Sequence, residues 1–493
     1  MRFASAALWL VALVGCTSFA GRGPTQEPAA RASRAAPSPP HVPPAPSWSA
    51  GDRAELQRRM SAIFDSPIFA EGGALAVLSA DGTVLYARRA EVPMTPASTL
   101  KLVVASSALD AFGPRYRFET SFVALDQPDA DGVLRGPLWL VGGGDPLLTS
   151  DDLRAGIGTL RRLGLRQIDG PVVVDTSTFA GPEQNPRWDP SDLDEGYAAA
   201  TSALSLDQGT VEFRVTPRAG RAAKVTIDPP NVTIAISGSI VTQSPTDVTI
   251  KRRADGSNAF VVDGTVAPGE TQRYWKPVLG IPTYVGGALV ALLAEQKIVV
   301  TGGAQQGPSP LAAQTLWLHR SQPLSAIVAE MLVHSNNHSA EQLLRLLGER
   351  VAQPGTDQSG LAAERAELRR LGILRPRMTT YDGSGLAPSD KIAPLTLAQL
   401  IVAELRGYNR APFLASLPRV GMEGTVRYHE LHAALGRARA KSGHLRDVNA
   451  LAGTVQSRRH ARIAFVFVVN DPRAEFAAVY TAQDRALDAL AEF

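Results

Sequence analysis

Pro96-Ala97-Ser98-Thr99-Leu100-Lys101-Leu102-Val103-Val104-Ala105-Ser106-Ser107-Ala108-Leu109-Asp110-Ala111-Phe112 is the stretch on which the fold turns. After Pro96, apolar residues recur at helical spacing (Leu100, Val103, Val104, Leu109) and Gly113-Pro114 stops the run, which predicts a helix over Ser98 to Phe112. Three residues apart on such a helix, Ser98 and Lys101 share a face. The hydroxyl stands at the helix N-terminus, where backbone N–H groups and the dipole favour developing negative charge. A serine hydroxyl is a weak nucleophile until a neighbour takes its proton. A lysine can do so if desolvation or a second cation lowers its pKa. Just upstream, Gly73 to Ser79 and Thr83 to Ala87 read as short strands around an Asp81-Gly82 hairpin turn.

Two further motifs follow in order, Ser335-Asn336-Asn337 and Lys441-Ser442-Gly443. Ser-x-x-Lys, Ser-x-Asn and Lys-Thr/Ser-Gly together form the signature of the penicillin-recognising serine enzymes. Each piece has a chemical use. Ser335 can relay a proton to a leaving amine. Asn337 offers an amide to orient a peptide and to hydrogen-bond Lys101. Lys441 can serve as the second cation beside Lys101, and its charge with the Ser442 hydroxyl suits a substrate carboxylate, the role expected here for it. Lysine is scarce in this chain, with seven residues against a background of arginine, and two of the seven fall in these motifs. Arginine cannot give up its proton at a useful pH, whereas a buried lysine can. Lys441-Ser442-Gly443 is expected just before a strand.

Outward from these motifs, the 493 residues suggest two to three domains, and a net charge of +3 gives no case for a nucleic-acid partner. From about residue 206 to 264 the pattern turns to short strands: Thr210 to Val215, Lys224 to Ile227, Val232 to Ile236, Asp247 to Lys251 and Ala259 to Val262. Helical patterns return at Val285 to Gln296, Leu324 to His334 and Ala340 to Val351. The chain closes with strands over Asn449 to Gln456 and Ala461 to Asn470 and a helix from about Ala474 to Glu492. No repeat of fixed period is visible.

The N-terminus reads as an export signal. Met1-Arg2 precedes the apolar stretch Ala6 to Val14, which is too short to span a membrane as a mature helix. It ends Leu13-Val14-Gly15-Cys16, similar to a bacterial lipobox, with Cys16 as the lipidated residue and 1–16 as the signal peptide. A plain signal cleaved nearer Ala20 is the alternative. Several acyl chains on one residue give stable anchoring. Thr17, where an Asp would retain a lipoprotein in the inner membrane, points to the outer membrane and its periplasmic face. Cys16 is the one cysteine, so no intrachain disulfide forms. Residues 17–49, rich in Pro and Ala, read as a tether.

From about residue 65 to the end, the chain resembles the penicillin-binding protein 4 type of D-alanyl-D-alanine carboxypeptidase/endopeptidase, the class C low-molecular-mass group. The likeness rests on Pro96 to Lys101, Gly142-Gly143-Gly144-Asp145-Pro146, Val174 to Phe179, Tyr197 to Leu206, Tyr381-Asp382-Gly383-Ser384-Gly385-Leu386 and Ala440 to Gly453. It implies an α+β fold: a β-lactamase/transpeptidase-like catalytic domain, an antiparallel sheet flanked by helices, with two inserted domains, one mainly β. By analogy the catalytic domain takes residues 50–118 and 319–493, one insert 119–192 and 281–318, and a nested β-rich insert 193–280. The resemblance implies an acyl-enzyme on Ser98, with Lys101, Ser335, Asn337 and Lys441 as catalytic residues. Ser442, Gly443 and His444 become substrate-binding residues, with the backbone N–H groups of Ser98 and His444 as the oxyanion hole. Peptidoglycan stem peptides become the substrates and β-lactams the inhibitors, with no cofactor and no metal. The sequence departs from the family pattern at Ser442, where Thr is common, and at His444, where Thr or Ser is usual.

Other readings are weaker. His334 and His338 have a metal-ligand spacing but lack the Glu of His-Glu-x-x-His, and His429-Glu430-Leu431-His432 has the wrong spacing. Asp382-Gly383-Ser384-Gly385 lacks a nucleophile-elbow context and reads as a loop bordering the cleft. Asp189, Asp192 and Asp194 form an acidic loop; the sharper reading is that one of them reaches the site and meets an amino group of the peptide stem. No glutamate is placed to speed deacylation, which argues against a β-lactamase. The intact motif set argues against a wall-binding scaffold with a degenerate site.

Overall fold

The computed structural model describes residues 48–66, 69, 71–471, 473 and 475–493. The signal peptide, Cys16 and the tether up to residue 47 lie outside the described residues. Trp48 and Ser49, read above as the end of the tether, already belong to the fold. Trp48 stacks on His460 with ring centroids 4.0 Å apart, and Ser49 caps the helix Ala50–Phe64 by accepting from the Asp52 N–H.

Both ends of the chain build one antiparallel sheet. Its five strands run in the order Ala438–Leu445, Val448–Gln456, Arg462–Asn470, Gly73–Leu78, Val84–Arg88. Successive side chains of a strand point to opposite faces, and here both faces are apolar. Phe465, Phe467 and Val469 join one core beneath the terminal helices Ala50–Phe64 and Phe476–Glu492. Ala464, Val466 and Val468 join the other core, beneath the helices Lys101–Phe112, Leu324–His334, Asn337–Glu349 and Pro394–Arg406.

Between these ends lie three more sheets. A five-stranded sheet joins Ala304–Gln306, Val172–Asp175, Leu138–Gly142, Glu119–Ala124 and Gln314–Arg320. A small three-stranded sheet joins Val299–Val300, Gln167–Asp169 and Val133–Arg135. A seven-stranded sheet takes every strand from Thr210–Arg218 to Gln272–Pro277. These three sheets do not each close on a core of their own. Phe122 and Leu140 of one layer, and Phe213, Phe260 and Val262 of another, meet the helix Ile281–Glu295 in a single apolar cluster.

The α+β expectation holds, with local differences. The nucleophile segment does not start as an α-helix. Ala97–Leu100 is a 3₁₀ turn and the α-helix begins at Lys101, because Ala97 sits at φ +47° and tightens the entry. Lys441-Ser442-Gly443 lies inside an edge strand, not before one. Lys, Gly and Ala carry little strand propensity, and the register with Val448–Gln456 supplies what they lack. The helix expected from Ala340 starts at Asn337, because the Asn336 side chain caps it by accepting from the Ser339 N–H at 3.0 Å.

Arg345 ties the inserted layers to the catalytic helices. It is 3% exposed; Nε reaches Asp357 Oδ1 at 2.6 Å, and the guanidinium also donates to the Thr201 and Pro182 carbonyls. Arg345→Ala therefore orphans Asp357 and two carbonyls together. Loss of about 3–5 kcal/mol in urea unfolding is expected, with new proteolytic cuts between Pro182 and Thr201. Unfolding at the wild-type midpoint would contradict this.

Candidate active site

The 3₁₀ turn sets Ser98 half-exposed at the floor of a cleft of about 750 Å³. Lys101 lies one turn on and is fully buried. Its Nζ has three neighbours: Ser98 Oγ at 2.9 Å, Asn337 Oδ1 at 2.6 Å and the Ser384 carbonyl at 2.7 Å. Two of these can only accept, and the serine hydroxyl can donate or accept. A neutral amine, with two N–H bonds and one lone pair, satisfies all three if the lone pair faces Ser98. Burial pulls the Lys101 pKa down from 10.5 to about 7, against the opposing pull of Asp382 and Glu341. The arrangement can take a proton from Ser98 at neutral pH.

Ser335 follows the helix Leu324–His334 in a left-handed conformation, φ +59°, which turns the chain so that Ser335 and Asn337 both line the cleft. Asn337 is held from its other end, its Nδ2 donating to the Tyr197 carbonyl at 2.8 Å. Thus Ser98, Lys101, Ser335 and Asn337 are brought together from two stretches of chain, Ser98 and Ser335 lying 237 residues apart in sequence.

The third motif is placed differently from expectation. Lys441 is fully buried under its strand, and its Nζ donates to the Ser442 carbonyl at 2.6 Å. Burial, then the charge of Lys101, hold its pKa well below the usual lysine value. The Ser442 hydroxyl is 2.7 Å from the Thr425 hydroxyl. Neither Lys441 nor Ser442 lines the cleft, whereas His444, Leu445, Arg446 and Asp447 do. The His444 ring is exposed, its Nε2 2.6 Å from the Tyr480 hydroxyl. Gly443 touches the nucleophile turn. A Cβ there would stand 2.7 Å from the Pro96 carbonyl oxygen and 3.1 Å from the Ser98 nitrogen.

Residues 56–492 match the D-Ala-D-Ala carboxypeptidase 3 (S13) family. The chain belongs to this family. It is a serine-type D-Ala-D-Ala carboxypeptidase and a homologue of penicillin-binding protein 4. A D-alanyl-D-alanine carboxypeptidase from an Actinomadura species is 29% identical over 444 residues, covering 84% of this chain and 81% of the relative. D-alanyl-D-alanine carboxypeptidase DacB from Haemophilus influenzae is 26% identical over 392 residues, covering 76% and 80%. The crystal structure of penicillin binding protein 4 from Haemophilus influenzae superposes with a TM-score of 0.74 at 22% identity, over 90% of this chain and all of that one.

Within this carboxypeptidase, several cleft features were not legible beforehand. The loop after Tyr381 borders the cleft through Gly385 and Leu386, while Asp382 and Ser384 are fully buried behind it and the Ser384 carbonyl meets Lys101. Lys391 and Thr95 line the cleft although no motif marks them, and Tyr197, the first residue of a stretch that carries the resemblance, lines it too. The acidic loop divides. Asp189 and Asp192 line the cleft, and Asp192 accepts from the Tyr197 hydroxyl at 2.8 Å, while Asp194 turns away to pair with Arg252. The paired histidines also separate: His334 is exposed at the cleft, whereas His338 is buried and held neutral by a pKa near about 3. Among the described residues no three His, Cys, Asp or Glu side chains are grouped to hold a metal ion.

Because Gly443 packs against the Ser98 backbone, Gly443→Ala should push the nucleophile out of line while leaving the sheet paired. Hydrolysis of a D-Ala-D-Ala peptide should fall ~100-fold. The fall should appear in kcat more than in KM. Wild-type kcat in the alanine variant would show that this contact does not set the position of Ser98.

Proposed function

We propose that Ser98 is the acylated nucleophile and Lys101 its general base, acting on the D-Ala-D-Ala end of peptidoglycan stem peptides. The single observation that carries this is the buried Lys101 amine, shared among Ser98 Oγ, Asn337 Oδ1 and the Ser384 carbonyl. As Oγ attacks the penultimate D-Ala carbonyl, its proton passes to Nζ. The oxyanion is held by the backbone N–H groups of Ser98 and His444. Ser335 relays the proton from Nζ to the departing amine, the C–N bond breaks, D-Ala leaves, and Lys101 is neutral again. Water then repeats the sequence on the acyl-enzyme, giving the shortened peptide and a free Ser98. A group with a pKa near 7 is well matched to this double duty as base and acid.

The enclosed position of Lys441 supports an electrostatic role over direct capture of a carboxylate. Charge on either of Lys101 and Lys441 disfavours charge on the other, and Lys441 is held well below the usual lysine value. The donors that reach the cleft and suit a terminal carboxylate are Lys391, Arg446 and the His444 ring. Ser442, Gly443 and His444 act as the strand along which the peptide lies. Asp192 or Asp189 offers a partner for an amino group on the stem. β-Lactams acylate Ser98 as substrate mimics; a relative of the same fold has been crystallised with one.

In this scheme penicillin should add one adduct, on the peptide carrying Ser98, and none to Ser98→Ala. Lys101→Arg keeps charge but cannot accept a proton at working pH, so acylation should fall ~10²–10⁴-fold. In the wild type, acylation needs neutral Lys101, so its rate should decline as pH drops through about 7. Mass analysis of adducts and the pH profile of acylation check all three. Normal acylation by the arginine variant would point to another base.

We also propose that the chain is exported and anchored to the outer membrane through acylated Cys16. Cys16→Ser should release it from membranes or block its processing. An unchanged membrane fraction, with no acyl label on the wild type, would favour the plain signal peptide.

A further inference from the structure

The Ser384–Gly385 peptide lies between two buried side chains. Its carbonyl accepts from Lys101 Nζ at 2.7 Å, and its N–H donates to Asp382 Oδ1, also at 2.7 Å. Asp382 is fully buried, and its Oδ2 accepts from the Ala387 N–H and from the Trp188 indole N–H, each at 2.8 Å. Both oxygens accept, as a carboxylate requires, and every one of these donors is neutral. Trp188 is 4% exposed and directly precedes Asp189 in the acidic wall of the cleft.

We propose that Asp382 is a positioning residue for the reaction: it grips the Ser384–Gly385 peptide so that the Ser384 carbonyl locks Lys101 against Ser98, and it anchors the Trp188 segment of the cleft wall to the same carboxylate. This rests on Lys101 being the base. A neutral amine has one lone pair, and that pair faces Ser98 only while both N–H bonds are occupied. Asn337 takes one and Ser384 the other. A peptide whose N–H meets a carboxylate is polarised, so its carbonyl accepts more strongly.

Four titratable groups interact electrostatically with Asp382. Glu341 comes from the helix Asn337–Glu349, Glu364 from Asp357–Arg370 and Asp390 from the same loop, with Lys101 and, beyond it, Lys441 opposite. Burial first, then neighbouring carboxylates, raise Glu341 to about 8 and both Glu364 and Asp390 well above their usual values. Glu341 accepts from the Gly383 and Ser384 N–H groups, one peptide earlier, and leaves the Gly385 N–H to Asp382.

The test is the pH profile of acylation by a chromogenic cephalosporin, with folding followed by thermal melting. Asp382→Asn removes a negative charge near Lys101 and sets an NH₂ against backbone or indole donors. Its plateau rate should drop ~10- to 100-fold. Its acid limb should move down by about one pH unit, since an amine deprived of a nearby carboxylate gives up its proton more readily. A fall in rate with an unmoved limb would mean a merely structural role, and a wild-type profile would also overturn the proposal. Trp188→Phe keeps the carboxylate but removes a dipole that partly offsets it, so its acid limb should move up. If the asparagine variant does not fold, an unmoved limb in Trp188→Phe overturns the proposal by itself. Lys101→Arg in the same assay separates the two ideas. Normal acylation there defeats the base assignment. An inactive arginine variant beside a wild-type Asp382→Asn profile defeats the role of Asp382 alone.

Discussion

A lysine amine buried without a carboxylate bonded to it is the constraint around which this molecule is arranged. Taking an ammonium out of water costs several kcal/mol unless it is paired or neutralised. The direct partners of Lys101 are a hydroxyl, an amide and a backbone carbonyl. The charged form is therefore poorly served, and the amine reaches neutral pH ready to accept a proton. That outcome needs three segments to converge: the turn at Ala97, the cap at Asn336 and the loop from Asp382 to Ala387. Each is itself pinned. Gly385, at φ +76°, passes so close to the Ala97 carbonyl that a Cβ would lie 2.0 Å from it.

The inserted layers complete the cleft. They supply Tyr197, whose carbonyl holds Asn337, and the loop bearing Asp189 and Asp192. Buried polar bonds from Arg345 and Asp382 fasten that loop to the catalytic helices. The acidic wall of the cleft and the Lys101 amine thus share supports, the one through Trp188 and the other through the Ser384 carbonyl. The edge strand with Gly443 does the same from the opposite side. Its register against Val448–Gln456 places residue 443 on the nucleophile turn and puts Lys441 beneath it.

Much of the catalytic half was legible from local pattern. Ser-x-x-Lys at the head of an apolar helix, Ser-x-Asn after another, and Lys-Ser-Gly near the closing strands each carry their meaning in a few residues. The helix Leu324–His334 was read to the residue, because its apolar positions are strongly periodic and a polar segment follows. The seven-stranded sheet was seen only in part. Gln272–Pro277 escaped because its half-buried face carries Gln, Tyr and Lys, its exposed face carries Arg and Trp, it ends in Pro, and its paired residues in Thr210–Arg218 are 57 or more positions away. The tetrapeptide Asp382-Gly383-Ser384-Gly385 reads as a loop at the cleft, where Gly385 stands, but the burial of Asp382 and Ser384 behind it was hidden because a Gly-rich polar run reads as surface. Here its polar groups are satisfied internally, which allows complete burial.

The sequence by itself determined the chemistry on offer: a serine with a lysine one turn away, a second serine and amide, a second lysine, and α+β layers to carry them. Those follow from short-range spacing, which a helix or strand converts directly into a shared face. Tertiary structure alone decided how each group is used. Lys441 became an enclosed amine that does not line the cleft, Asp192 entered the cleft while Asp194 turned away, and a backbone carbonyl at Ser384 became the third partner of the Lys101 amine. Burial and hydrogen-bond partners set those outcomes. Both depend on which distant segments close over a side chain, and that information is absent from any local run of residues.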